Sequence, residues 1–307
     1  MSGSAPAAPS RALVFWSFAA IYIVWGSTYL GIRVVVAEVP PFLSSGTRFL
    51  LAGSILLGWA LVRGARLPDL RLWPRAFLLG GLFFLLGNGG ISWAETRVPS
   101  GLTALLAATS PLWTVLVESA HAEWRRPPLR TAAGVVLGLA GVAILVAPGE
   151  LIGGAHADLL GAAAITVASL GWAVGSVTSH RVHLHPDATV ATAMKMLAGG
   201  ALMVVAGTAF GEVPRLLGAE ISTRAALAWL YLVVFGSLLG FTAFNYLLRV
   251  STPAKVSTSA YVNPLVAVGL GWALLDEPIS IRTLLAALVI VGGVLLVRLQ
   301  SDEPQEP

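Results

Sequence analysis

Charges and prolines divide this chain into ten stretches of about 20 mostly apolar residues, the length a helix needs to cross a bilayer. The stretches are Val14–Val35, Phe42–Val62, Trp73–Trp93, Ser100–Ala120, Thr131–Ala147, Leu159–His180, Thr189–Phe210, Ala226–Leu248, Pro253–Leu275 and Ile281–Leu299. They are separated at Pro40-Pro41, Arg63 to Pro74, Pro127-Pro128, Pro148, Pro186, Pro214 and Asp276 to Pro278. The runs are unbroken rather than alternating with period two, which predicts spanning helices and excludes a barrel. Hydrophobic residues make up 56% of the 307 and charged residues only 11%, against roughly 25% charged in a soluble domain. The chain therefore lacks the polar residues to cover a soluble surface, and we expect an all-α, polytopic membrane protein.

Several classes are excluded early. Residues 1–12 form a small, polar tail whose one charge is Arg11, without the basic region of a signal peptide, and the apolar stretch from Leu13 is too long for one. We read it as a retained first span. Residues 300–307 form an acidic, proline-rich second tail. The absence of cysteine rules out a disulfide scaffold, a thiolate metal site and a cysteine nucleophile. A net charge of +4 with no long basic run gives no reason to expect a nucleic-acid partner. His121, His156, His180, His183 and His185 lie at or beyond span ends and no aspartate is mid-span, so an intramembrane protease is disfavoured. The run His183-Leu184-His185-Pro186-Asp187 is weak evidence for a metal. No glycine-rich phosphate loop with a lysine is present, which removes an ATP motor. We expect no enzyme, no cofactor and no metal, and a monomer whose partners are a small-molecule substrate and the lipid bilayer.

Lysine and arginine set the orientation. With a cytoplasmic N-terminus one side holds twelve of them and the other five (Arg33, Arg97, Arg215, Arg224 and Arg282), while Arg48 and Lys195 lie inside spans. Both termini are expected in the cytoplasm.

The chain also repeats itself. Leu129-Arg130-Thr131 and Gly141-Val142 recur as Ile281-Arg282-Thr283 and Gly293-Val294 at an offset of 152 residues. Ser110-Pro111-Leu112 aligns with Asn263-Pro264-Leu265, Gly87 with Gly240 and Trp93 with Tyr246, all at an offset of 153. Leu51-Ala52-Gly53 matches Leu197-Ala198-Gly199. Residues 13–147 and 159–299 thus read as two five-helix repeats joined by 148–158. Five is odd, so the copies cross the membrane in opposite directions. Inverted repeats of this kind are a transporter architecture with the substrate site near the midplane.

Charges inside spans need a reason, since each costs about 2.5–3.5 kcal/mol on insertion scales. Arg48 lies about two turns into the second span and Lys195 about two turns into the seventh, at near-equivalent places in the repeats. Either could hold a substrate anion or snorkel to the headgroups. Glu118, near the end of the fourth span, is at a depth that could reach Lys195, with a solvated Glu118 as the alternative. Polar and aromatic residues gather in six spans: Trp25, Ser27, Thr28 and Tyr29 in the first; Asn88, Ser92 and Trp93 in the third; Thr109, Ser110 and Pro111 in the fourth. The sixth adds Trp172 and Ser176, the eighth Asn245 and Tyr246, and the ninth Tyr261, Asn263 and Pro264. Pro111 and Pro264 are expected to kink their helices. A cavity lined by these spans would offer aromatic faces, amides and hydroxyls to an organic solute. Trp16, Trp73, Trp124 and Trp229 are assigned to interfacial anchoring, and Gly134, Gly138 and Gly141 to close helix packing.

These residues resemble the drug/metabolite transporter superfamily in its EamA-type ten-helix branch, over residues 14–299. The marks are Trp25-Gly26-Ser27, Arg48-Phe49, Pro111 and Pro264, Glu123 and Glu277 just beyond them, and Gly141-Val142 with Gly293-Val294. The resemblance implies a bacterial inner-membrane exporter with a central cavity between inverted repeats, and it is similar to exporters of amino acids, other metabolites and cationic drugs. The expected activity is alternating-access export of small organic solutes, aromatic amino acids foremost. Export of drugs or organic cations, and a channel, remain as alternatives.

Overall fold

The computed structural model describes residues 10–121, 129–146, 158–179, 181–251, 256 and 259–301. All regular structure among them is helical. Seven helices are long and apolar enough to cross a membrane: α1 (Arg11–Val36), α2 (Pro41–Val62), α3 (Leu70–Ala94), α4 (Ser100–Ala120), α6 (Leu159–Ser179), α7 (Ala188–Ala209) and α8 (Thr223–Leu247). Shorter apolar stretches lie within α5 (Leu129–Val146), α9 (Ser259–Leu275) and α10 (Ile281–Ser301). A short helix, Glu212–Leu217, connects α7 to α8.

The packing of the halves is mutual. Helix α2 lies along α7, α4 against α9 and α5 along α10. Helix α1 packs on α8 and α9, as α6 packs on α3 and α4. Exchanging the first five helices for the last five maps this set of neighbours onto itself. Outward faces carry large exposed apolar residues such as Ile55, Val205 and Leu288, the surface that lipid tails would cover.

Three helices are locally widened to π geometry, at Ala20–Val24 in α1, Gly81–Gly89 in α3 and Leu232–Leu239 in α8. Such segments loosen the regular backbone ladder and often accompany functional sites. Helix α4 is interrupted instead. Its first part ends at Ala107 and its second starts at Ser110, where Pro111 cannot supply a backbone N–H. Pro264 sits inside α9 without dividing it.

Connections between α1 and α2, α3 and α4, α7 and α8, and α9 and α10 meet at one end of the bundle, opposite the start of α1 and the end of α10; we call it the far end. There, helix starts are capped by carboxylates from the opposite half. Glu212 accepts from the N–H groups of Phe42 and Leu43 at the head of α2. Glu277 accepts from the N–H groups of Ser100 and Gly101 and from the Ser100 hydroxyl at the head of α4. Glu38 accepts from the N–H and hydroxyl of Ser222 at the head of α8. The first N–H groups of a helix lack intrahelical partners and sit at its positive dipole end, so carboxylates suit them. Asp276 at φ 53° turns the chain so that Glu277 folds back, its N–H donating to the Gly271 carbonyl.

Helices α5 and α10 approach through glycine, away from the centre. A Cβ on Gly293 would lie 2.6 Å from the Gly134 carbonyl oxygen and the Gly138 nitrogen. Backbone cannot yield as a side chain can, so Gly293→Val should force the helices apart. We expect a loss of about 1–3 kcal/mol, read as a lower midpoint of thermal unfolding in detergent, with the cavity chemistry intact.

Candidate functional site

Between the halves lies a cavity of about 200 Å³. Its walls come from α1, α2, α3, α4, α6, α8 and α9. The widened turns build much of it. In α8 the π segment carries Gly236 and Ser237; the Gly236 carbonyl accepts from Trp25 Nε1 at 3.2 Å, and the Ser237 hydroxyl accepts from Arg48 Nε at 2.9 Å. In α3 the π segment carries Asn88, whose amide donates to the Phe83 carbonyl five residues back at 3.0 Å. Gly240 gives Trp25 its place, since a Cβ there would overlap the indole nitrogen. Trp25 is further held by the rings of Phe241 and Phe244, with centroids at 5.4 and 5.2 Å.

Arg48 is the charge of this site. Its side chain is buried, with 4% of the residue exposed. The guanidinium lies over the Phe49 ring at 4.6 Å and lines the cavity. Among the described residues the wall carries no aspartate or glutamate, and the one ion pair among them, Arg97 with Asp158 at 3.9 Å, is elsewhere. The Ser169 hydroxyl, also on the wall, is buried with no hydrogen-bond partner among the described residues.

Of the residues singled out from sequence, Trp25, Thr28, Tyr29, Asn88, Ser110, Trp172, Asn263, Pro264 and Arg48 line this cavity. The Asn263 amide, turned to suit its neighbours, donates to the carbonyls of Ile21, Tyr22 and Ser259. Others face elsewhere. Ser27 meets the Tyr231 hydroxyl on α8, Ser92 meets Ser45 on α2, and Asn245 donates to Thr192 on α7. Trp93 lies under the Arg97 guanidinium at the far end. Ser176, Tyr246 and Pro111 are not on the wall, and the Tyr261 side chain and Glu123 lie outside the described ones.

Of the two readings of Glu118, the structure shows the solvated one, without a contact to Lys195. Glu118 is exposed, and Lys195 instead sets its ammonium 5.4 Å from the Phe83 ring centroid, off the cavity wall. Trp229 is likewise no interfacial anchor: its indole donates to the Ser44 carbonyl at 2.9 Å, inside the bundle. Asp187 of the His183–Asp187 run caps α7 through the N–H groups of Thr189 and Val190. Sequence reasoning missed Ser169, Ser259 and Phe241, which carry no pattern beyond that of ordinary span residues.

Two mutually packed helical halves around a mainly apolar cavity that carries one charged side chain are the construction of a membrane transporter. The chain belongs to the EamA-like transporter family, whose pattern matches residues 12–147 and again 159–299. It is 40% identical over 293 residues to the uncharacterized inner membrane transporter YedA of Escherichia coli (strain K12), covering 93% of this chain and 90% of that protein. It is 24% identical over 277 residues to the uncharacterized transporter YoaV of Bacillus subtilis (strain 168), covering 90% and 93%. A solved crystal structure of a protein 24% identical in sequence superposes with a TM-score of 0.64, covering 97% of this chain and 100% of that one, and bears on the fold alone.

Proposed function

We propose that this chain is an exporter of small carboxylate-bearing organic solutes, amino acids foremost and aromatic ones in particular, working by alternating access. It is a multi-pass protein of the bacterial inner membrane, with ten spans and both termini in the cytoplasm, so that the far end faces outward. Residues 13–147 and 159–299 are its inverted repeats, 148–158 the joining loop, and 1–12 and 300–307 its tails. The observation that carries the substrate class is Arg48. A buried guanidinium of a cavity-wall residue, with Nε committed to Ser237 and its terminal nitrogens bonded to no other described residue, is suited to a carboxylate, which it can grip through two parallel hydrogen bonds. Trp25, Trp172 and Phe241 supply apolar faces beside it.

The organic-cation alternative fares worse on the same wall, whose charge is positive. Drug-sized ligands also occupy pockets of roughly 300–1,000 Å³, larger than this cavity. A rocking movement of the halves, with the π segments of α3 and α8 taking up the backbone change, would expose the cavity to each side in turn.

The test is counterflow of labelled amino acids, aromatic and aliphatic, in proteoliposomes with no imposed gradient. Saturable exchange of the aromatic set is expected. Trp25→Ala, at normal expression, should lower it by at least roughly tenfold, since a well-packed aromatic anchor is worth about 2 kcal/mol or more. Absence of flux for every amino acid would send the assignment to other metabolites, and uptake of organic cations would reverse the substrate reading.

A further inference from the structure

Glu95 follows the last turn of α3, one residue beyond the span, and is wholly buried. Neither of its carboxyl oxygens has a hydrogen-bond partner among the described residues. The far-end carboxylates of Glu38, Glu212 and Glu277 are all hydrogen-bonded, so Glu95 differs from its neighbours. Arg33 is close, yet it donates to the Glu95 main-chain carbonyl, and the two side chains do not form an ion pair. An ionised carboxylate shut from water without a pair or a hydrogen bond costs several kcal/mol, whereas the neutral acid carries only the smaller penalty of a polar group.

The groups around it are few. The end of α3 packs on α1, α2 and α6. Helix α1 brings Tyr29 and Arg33, while α2 meets α3 here through Ser45 and Ser92. Asp158 stands at the head of α6, facing Arg97, and Glu277 acts on Glu95 from the connection between α9 and α10. Burial holds the Glu95 carboxyl well above the usual carboxylate range; Arg33 opposes this and Glu277 adds to it. Tyr29 lines the cavity and is near enough to feel the charge of Glu95. Glu95 thus stands between the cavity wall at Tyr29 and the cross-capped far end.

We propose that Glu95 is a proton-binding site built into the far-end seal: closing that end takes one proton from far-side water onto the Glu95 carboxylate, and opening returns it. Once the end opens, water solvates the anion and the reason for holding the proton is gone. Far-side pH therefore shifts the balance between closed and open, whether or not protons are carried across.

The test uses the full chain in sealed proteoliposomes oriented with the far end outward, so that pH and label are set on that side alone, with two readouts. Infrared titration should show a protonated carboxyl C=O band at neutral pH that vanishes on alkalinisation and is missing in Glu95→Gln. Because the chain has no cysteine, Ile91→Cys gives a single reporter on the cavity wall one turn from the far end. Its labelling by an impermeant maleimide, normalised to the unfolded protein at each pH, should rise on alkalinisation through the same midpoint and stay flat when Glu95→Gln is added. Should Glu95→Gln fail to fold, Arg33→Gln serves, and the midpoint should move up in pH as the opposing positive charge is removed. No neutral-carboxyl band in the native protein, a band that survives Glu95→Gln, or a midpoint indifferent to Arg33→Gln would each overturn the assignment. Neither readout needs a transported solute, so failure of amino-acid counterflow leaves the test intact.

Discussion

Replacing Arg48 with methionine should abolish transport while leaving the protein as stable as before, or more so. The two halves of that expectation have separate causes. Truncating one partner of a buried, hydrogen-bonded charge pair costs about 2–5 kcal/mol in binding, which is roughly 30-fold to several-thousand-fold in affinity at 1.4 kcal/mol per decade. That loss falls on the carboxylate of the solute. The empty protein, by contrast, keeps a guanidinium 4% exposed with Ser237 and the Phe49 ring as its contacts. Exchanging a desolvated ion for an apolar side chain of similar length is often neutral or stabilising. Arg48→Lys keeps the charge but replaces a planar fork by a point charge, which cannot bond Ser237 through one nitrogen and grip a carboxylate with two others. We expect it to restore only a small part of the counterflow. Thermal unfolding and counterflow, measured on the same preparations, separate this from a folding defect. Full transport by Arg48→Met would remove the guanidinium from the substrate site.

How far the cavity could be read from sequence depends on which property places a residue. Depth is set by distance along a span, and that is why residue order alone assigns Arg48, Trp25, Asn88, Trp172 and Asn263 to the middle of the bundle. The rotational face is a different matter. A helix apolar on every side has no polar stripe to mark which way it points, and lipid is as tolerant of a leucine as the core is. Ser27, Ser92 and Asn245 share the right depth and face neighbouring helices instead. The π segments add to this, because each widened turn rotates the rest of its helix by an amount no regular period supplies. Gly236 and Ser237 reach the site through such a turn. The repeat, in contrast, is legible, since duplication is written in residue identity at offsets of 146 to 153, and the family pattern matches twice. The carboxylates Glu38 and Glu212 gave no signal, as loop acids look solvated until the opposite half supplies the helix start that each one caps.

Glu277→Ala should both loosen the protein and open its far end. Three donors at the head of α4 would lose their acceptor: the N–H groups of Ser100 and Gly101 and the Ser100 hydroxyl. Ser100 is fully buried, so water cannot replace the carboxylate while the end stays closed. Leaving a buried donor unpaired costs about 1–3 kcal/mol, and removing a helix cap about 0.5–2 kcal/mol. In the opened state the donors meet water, and the penalty falls away. The substitution thus acts against closure in particular, by on the order of 2 kcal/mol or roughly 30-fold in the ratio of closed to open. Labelling of Ile91→Cys from the far side should rise accordingly, and thermal stability should fall; unchanged labelling would mean that the cap does not hold the end shut. Acid should act in the same direction through Glu38. Hydrogen bonds from the Ser222 N–H and hydroxyl hold its carboxyl below the usual carboxylate range. A group depressed on closure stabilises the closed form at pH above its free value, and that contribution is lost as pH falls through the lowered one. Glu38 is exposed and its share is small, but it has the sign opposite to that of Glu95. Closure should accordingly peak between an acid limb to which Glu38 contributes and an alkaline limb set by the buried carboxyl. Glu38→Gln should remove the Glu38 contribution and Glu95→Gln the whole of the alkaline limb.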